Sequence, residues 1–174
     1  MKERIIGQVI GTEGGYTNDP KDSGGATNFG ITRKRARAYG YMGHMYLLPK
    51  ETAYDIYANE DWKWINGDGL LPISSLICRE VFDCAVNCGA STANKMLQRC
   101  LNALSNRTID VDGKIGPDTL RTLKCYISKR SNNIILECYK ALRVSHYMSI
   151  STRRPKDKKF IHGWVTRACK LDRY

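Results

Sequence analysis

Glu13-Gly14-Gly15-Tyr16-Thr17-Asn18-Asp19-Pro20, running on through Asp22 and Gly24-Gly25-Ala26-Thr27-Asn28-Phe29-Gly30-Ile31-Thr32, interrupts an otherwise helical sequence. Between Gly14 and Gly30 there are five glycines and an Asp-Pro step among Asn, Asp, Ser and Thr. That composition makes turns or a short hairpin, not a helix. Long loops in compact domains tend to carry function, so this is where chemistry is expected.

Outward from the loop the apolar spacing is helical. Ile5, Ile6, Val9 and Ile10 form one stripe, and Leu76, Ile77, Val81, Cys84, Ala85 and Cys88 form another that Gly89 stops. Ser91 reads as the N-cap of a helix carrying Met96, Leu97, Cys100, Leu101 and Leu104. Pro117 stands where a first-turn proline belongs, ahead of Leu120, Leu123 and Ile127. A long helix is expected from Asn133 to about Ser149, and a short last one after the charged stretch Arg153 to Lys159. The fold class is therefore mainly α. There is no internal repeat.

At 174 residues the chain has room for one medium domain with a sizeable core. No uncharged apolar run approaches the roughly 20 residues of a membrane helix, so stable membrane insertion is not expected. The first residues, Met1 to Gly7, lack an apolar signal region. The net charge is +11, and residues 140–174 hold 10 basic against 2 acidic side chains. A basic tail implies an anionic partner: nucleic acid, lipid or an acidic wall polymer. The run Arg33-Lys34-Arg35-Ala36-Arg37 would spread round more than one helix face and has no base-stacking aromatics beside it, so nucleic acid is not the expected partner. Seven cysteines occur without a C-x-x-C pair, and no histidine lies at zinc-ligand spacing from them. Reduced thiols and no metal site are the expectation.

Glu13 closes the first apolar helix, with the polar loop immediately after it. A carboxyl placed between an apolar wall and a polar loop is suited to donating a proton. Asp22 lies in the loop nine residues on, and Thr27 follows. One carboxyl against an apolar wall and a second in a polar loop is what glycosidic-bond cleavage needs: the first protonates the leaving oxygen, the second stabilises the developing positive sugar or activates water, and a hydroxyl nearby can hold that water. No cofactor is required for such chemistry. Tyr16 and Asn28 are candidates to line a sugar cleft, with packing and loop hydrogen bonding as rival roles. Trp62 and Trp64 alternate, which turns one inward and the other outward. Asp112-Gly113 lacks the spaced carboxylates of a calcium loop and reads as a tight turn.

The stretch from Glu13 to Thr32 closely resembles the signature of glycoside hydrolase family 108, the phage and prophage N-acetylmuramidases also labelled endolysins or secretion activators. The resemblance continues in Phe82-Asp83-Cys84-Ala85-Val86-Asn87-Cys88-Gly89, in Asp112-Gly113-Lys114-Ile115-Gly116-Pro117-Asp118-Thr119-Leu120, which is similar to the family's peptidoglycan-binding region, and in Gly163-Trp164-Val165-Thr166-Arg167. Ser23 and Thr166 depart from it, where relatives have Pro and Asn.

The resemblance implies a lysozyme-like helical bundle with a small hairpin beside the cleft. Residues 1–90 would form the catalytic region and residues 91–174 a helical peptidoglycan-binding region packed against it. It places the catalytic acid at Glu13 and, by analogy with phage lysozymes, the water-handling pair at Asp22 and Thr27. The implied activity is hydrolysis of the β-1,4 bond between N-acetylmuramic acid and N-acetylglucosamine, with peptidoglycan as partner. The expected setting is a monomer held in the host cytoplasm until a holin lets it reach the wall. A lytic transglycosylase and a non-catalytic wall-binding or export-helper protein are the alternatives.

Overall fold

The computed structural model describes residues 1–18 and 25–169. Asp22 and Ser23 lie outside the described residues. The chain opens with helix α1 (Lys2–Glu13), whose buried face is Ile5, Ile6, Val9 and Ile10. Two short antiparallel strands follow, β1 (Thr27–Asn28) and β2 (Ile31–Thr32), paired Thr27 with Thr32 and Asn28 with Ile31. The turn between them runs through Phe29 (φ 52°) and Gly30 (φ 74°). Two successive positive φ values suit the twist of a two-residue hairpin. Thr17 adds an isolated antiparallel bridge on the other side of β1, exchanging 2.8 Å hydrogen bonds with Thr27.

Helices then account for most of the remaining chain: α2 (Arg33–Ala38), a 3-10 turn (Met45–Leu47), α3 (Lys50–Asn59), α4 (Asp61–Trp64), α5 (Gly67–Leu70), α6 (Ser75–Cys88), α7 (Ala90–Leu104), α8 (Pro117–Lys129), α9 (Asn132–Arg153), a 3-10 stretch (Pro155–Phe160) and α10 (Ile161–Cys169). The mainly α reading holds, with the small sheet where the glycine-rich loop was expected to make one.

The central element is α6. Ser74 caps it, its hydroxyl accepting from the Ile77 backbone N–H at 3.2 Å. Ile77, Cys78, Val81, Phe82, Cys84 and Ala85 are buried on it, while Leu76, expected on the stripe, is half-buried. It packs against α7 and α9, while α10 packs on α9 and α1 on α3. One core cluster runs from Ile5 to Tyr139 and includes residues from both halves of the chain. Trp62 is fully buried edge-on to Phe82, and its indole N–H donates to Asp68 at 2.9 Å; Trp64 is 72% exposed.

Ser91 does not cap α7. Gly89, at φ 83°, ends α6 and serves as the N-cap of α7, so α7 starts at Ala90. The Gly89 N–H closes on the Ala85 carbonyl at 2.8 Å while its own carbonyl accepts from Ala93 at 3.1 Å. The long helix α9 starts at Asn132, capped by Ser131, and runs further than its apolar spacing shows, to Arg153, because no proline or glycine breaks it before Pro155. Most of the charged stretch that follows is 3-10, and α10 comes after it as expected. Asp112-Gly113 is the tight turn anticipated, held by α7: Asp112 accepts from Gln98 at 2.7 Å and from the Lys114 N–H at 2.8 Å, and the Gly113 N–H donates to Gln98 at 2.9 Å.

Candidate active site

Glu13 follows the last buried isoleucine of α1 by three residues, so its side chain continues the inward stripe at the point where the helix runs out. Gly14 (φ 81°) terminates α1 there. The side chain is 18% exposed. One oxygen, Oε1, accepts from Arg167 Nη1 at 2.6 Å. The other, Oε2, faces the hairpin: a Cβ on Gly30 would lie 2.8 Å from it and 2.6 Å from the Tyr57 hydroxyl. Tyr57, buried on α3, donates its hydroxyl to the Phe29 carbonyl at 2.9 Å. Burial, and secondarily the Glu13 charge, push its ionisation well above the ordinary tyrosine range, so it remains a neutral donor. The hairpin is thus pinned at its turn by Tyr57, with the Glu13 carboxyl beside the turn.

Of the other sequence candidates, Thr27 stands in β1, half-buried, its hydroxyl donating to the Gly25 carbonyl at 3.3 Å. Asn28 is buried, and its amide donates to the Met45 carbonyl at 2.9 Å, tying the hairpin to the 3-10 turn. The amide thus has the loop hydrogen bond that was one of its two expected roles. Tyr16 is half-buried, with its ring edge-on to the exposed Tyr46 at 5.5 Å and near His44 at 6.2 Å. It therefore belongs to an aromatic group at the surface beside the hairpin.

Residues 6–89 match the family model described as Glycosyl hydrolase 108, and residues 92–169 match that described as Predicted Peptidoglycan domain. The N-terminal half of the chain is a glycosyl hydrolase 108 domain. The solved structure of Brucella abortus SagA is similar over the whole length: TM-score 0.71, 27% identity, covering 99% of this chain and 96% of that one. Among curated proteins none matches. The two domains together support a cell-wall hydrolase role, with peptidoglycan as the partner.

Arg167 belongs to the peptidoglycan-binding segment, yet it meets Glu13, which lies in the glycosyl hydrolase 108 domain. Its guanidinium also grips Asp83 on α6, through Nη2 at 2.6 Å and Nε at 2.9 Å. Asp83 in turn accepts from Arg143 Nη2 at 2.5 Å. Arg143 is fully buried, and it donates to Glu80 at 2.7 Å and to the Tyr147 hydroxyl at 2.9 Å. Burial alone would raise the Asp83 carboxyl, but the hydrogen bonds from Arg167 and the charges of Arg143 and Arg167 outweigh it and hold Asp83 below the usual value. Glu80, buried with less compensation from Arg143, lies above it.

Sequence reasoning assigned no role to Arg167, Asp83, Gly30 or Tyr57. Arg167 and Asp83 both lie in stretches that carry the family resemblance. Asp83 gave one physical signal as well, a lone acid between the apolar Phe82 and Cys84 of α6. Two basic residues of the C-terminal segment, Arg143 and Arg167, face inward on carboxylates and are lost to any outward basic surface. Within the basic run of α2, Arg35 is likewise bound, to Glu60 at 2.6 Å and to Asp61. All seven cysteines are free thiols.

Proposed function

We propose that the chain is an N-acetylmuramidase of the phage endolysin type, cutting the β-1,4 bond between N-acetylmuramic acid and N-acetylglucosamine. The observation that carries this reading is the Glu13 carboxyl, half-buried at the end of an apolar helix and set against the turn of a polar hairpin. In this reading Glu13 gives its proton to the bridging oxygen as the glycosidic bond breaks. Asp22 takes a proton from water, and Thr27 steadies that water as its oxygen bonds the anomeric carbon. One water is consumed, and no group beyond protein and water is needed. Arg167 donates to the Glu13 carboxylate at 2.6 Å and fixes its position at the hairpin.

Among the described residues no helix is long and apolar enough to cross a membrane. The proposed setting is a monomer that waits in the host cytoplasm and reaches the periplasm through a holin, lysing the cell. Purified Gram-negative peptidoglycan digested with wild type and with Glu13→Gln, then reduced and sized by mass spectrometry, tests the reaction. Muramitol ends from the wild type alone are the expected result. Anhydro-muramyl ends would mean a lytic transglycosylase, and intact glycan in both digests would leave a wall-binding or export-helper protein.

A further inference from the structure

Arg167 stands 154 positions from Glu13 in the chain and still donates to it at 2.6 Å. We propose that Arg167, carried by the peptidoglycan-binding segment and anchored by Asp83, is a positioning residue of the hydrolase: it holds the Glu13 carboxyl at the hairpin and sets the balance between its charged and proton-bearing forms. This rests on Glu13 being the acid of the proposed reaction, and it makes the C-terminal segment part of the catalytic centre rather than a detached wall anchor.

The geometry supports a fixed guanidinium rather than a loose surface pair. Nε and Nη2 are committed to Asp83, which leaves Nη1 for Glu13. Asp83 is itself held by Arg143, which Glu80 and Tyr147 hold in the core. Charges therefore alternate from Glu13 through Arg167, Asp83 and Arg143 to Glu80. A planar fork can serve two carboxylates at once; a lysine ammonium on a flexible stem cannot hold both in the same geometry.

The described groups facing Glu13 are few. From α10 there is Arg167, from α3 the neutral Tyr57, and from the hairpin the bare backbone of Gly30. Asp83 acts on Glu13 only through Arg167. Removing the Arg167 charge makes the neighbouring carboxyl easier to protonate. Removing the Asp83 charge leaves Arg167 to Glu13 alone and makes protonation harder. The two substitutions therefore act in opposite directions, which a purely structural staple between α1, α6 and α10 would not produce.

The test uses the full chain and the pH dependence of glycan cleavage. In Arg167→Gln the alkaline limb should move up by about one pH unit or more, with kcat lowered more than KM is raised. In Asp83→Asn the limb should move down. Arg167→Lys should keep the limb near that of wild type and recover part of kcat, and it serves as the charge-retaining control if Arg167→Gln melts early. Coincident limbs, or shifts of the same sign in Arg167→Gln and Asp83→Asn, would overturn the proposal. A carbon-13 NMR titration of the Glu13 carboxyl, assigned with Glu13→Gln, reads the same shifts without turnover. If the wild type cuts no glycan, the muramidase reading fails, and that titration still decides whether Arg167 controls Glu13.

Discussion

Gly30 has two reasons to be glycine. Its φ of 74° is in the left-handed region, and the space where a Cβ would stand is taken by the Tyr57 hydroxyl and the Glu13 carboxylate. Gly30→Ala should cost at least about 1–2 kcal/mol from the backbone alone. The displaced Glu13 should reduce cleavage beyond what the stability loss explains, and activity assayed well below the melting temperature separates the two. Phe29 shares the positive φ without glycine's freedom, and the Tyr57 hydrogen bond to its carbonyl is the visible restraint that keeps it there. Tyr57→Phe should therefore loosen the hairpin while leaving the core filled. Faster amide exchange in residues 27–32, with a drop in melting temperature of only a few degrees, is the expected signature.

At the scale of elements, α6 is both core and scaffold. Its apolar face builds the interior, and Asp83 on the same helix reaches the α9 and α10 arginines. Ser74 supplies the hydroxyl that caps its first turn. Ser74→Ala should lower unfolding free energy by about 1 kcal/mol in urea titration and leave activity at neutral pH unchanged. Asp83 has a folded pKa below its ordinary one. Its stabilising contribution is therefore complete above the ordinary carboxylate range, about pH 4, and is lost as pH falls through the depressed value. Glu80 is raised instead and opposes it, weakening the fold as pH rises through its unfolded value. Acid unfolding measured between about pH 5 and pH 2 should be steeper in wild type than in Asp83→Asn.

For the whole molecule, the ion chain joins what the family matches divide. Glu13, Glu80 and Asp83 lie in the glycosyl hydrolase 108 domain, while Arg143 and Arg167 lie in the peptidoglycan-binding segment. Arg143 is fully buried with carboxylates on two sides. Arg143→Met would leave Asp83 and Glu80 short of a cation in the interior and should cost about 3–5 kcal/mol in denaturant melts. Residues 1–89 made alone would expose the α6 face that α7 and α9 cover. Such a fragment should show loose tertiary packing by near-ultraviolet dichroism, and it should lack cleavage activity because Arg167 is gone.

The helices were legible because burial repeats along them. The isoleucines of α1, the first-turn Pro117 and the turn at Asp112-Gly113 are local patterns whose physical causes lie within a few residues. Glu13 was legible for the same reason, standing where an apolar stripe meets a glycine-rich loop. Ser91 misled because a serine before an apolar run looks like a cap, while Gly89 with its positive φ had already provided one. The pairing of Glu13 with Arg167 was beyond local reading, since charge complementarity has no periodicity along the chain. The bond from Asn28 to the Met45 carbonyl was beyond local reading too, because its partner lies 17 residues away. Sequence alone determined that this is a helical protein with an acid at the mouth of a hairpin. Tertiary structure decided which cation meets that acid, because ion-pair partners are chosen by distance in space after α10 has packed on α9.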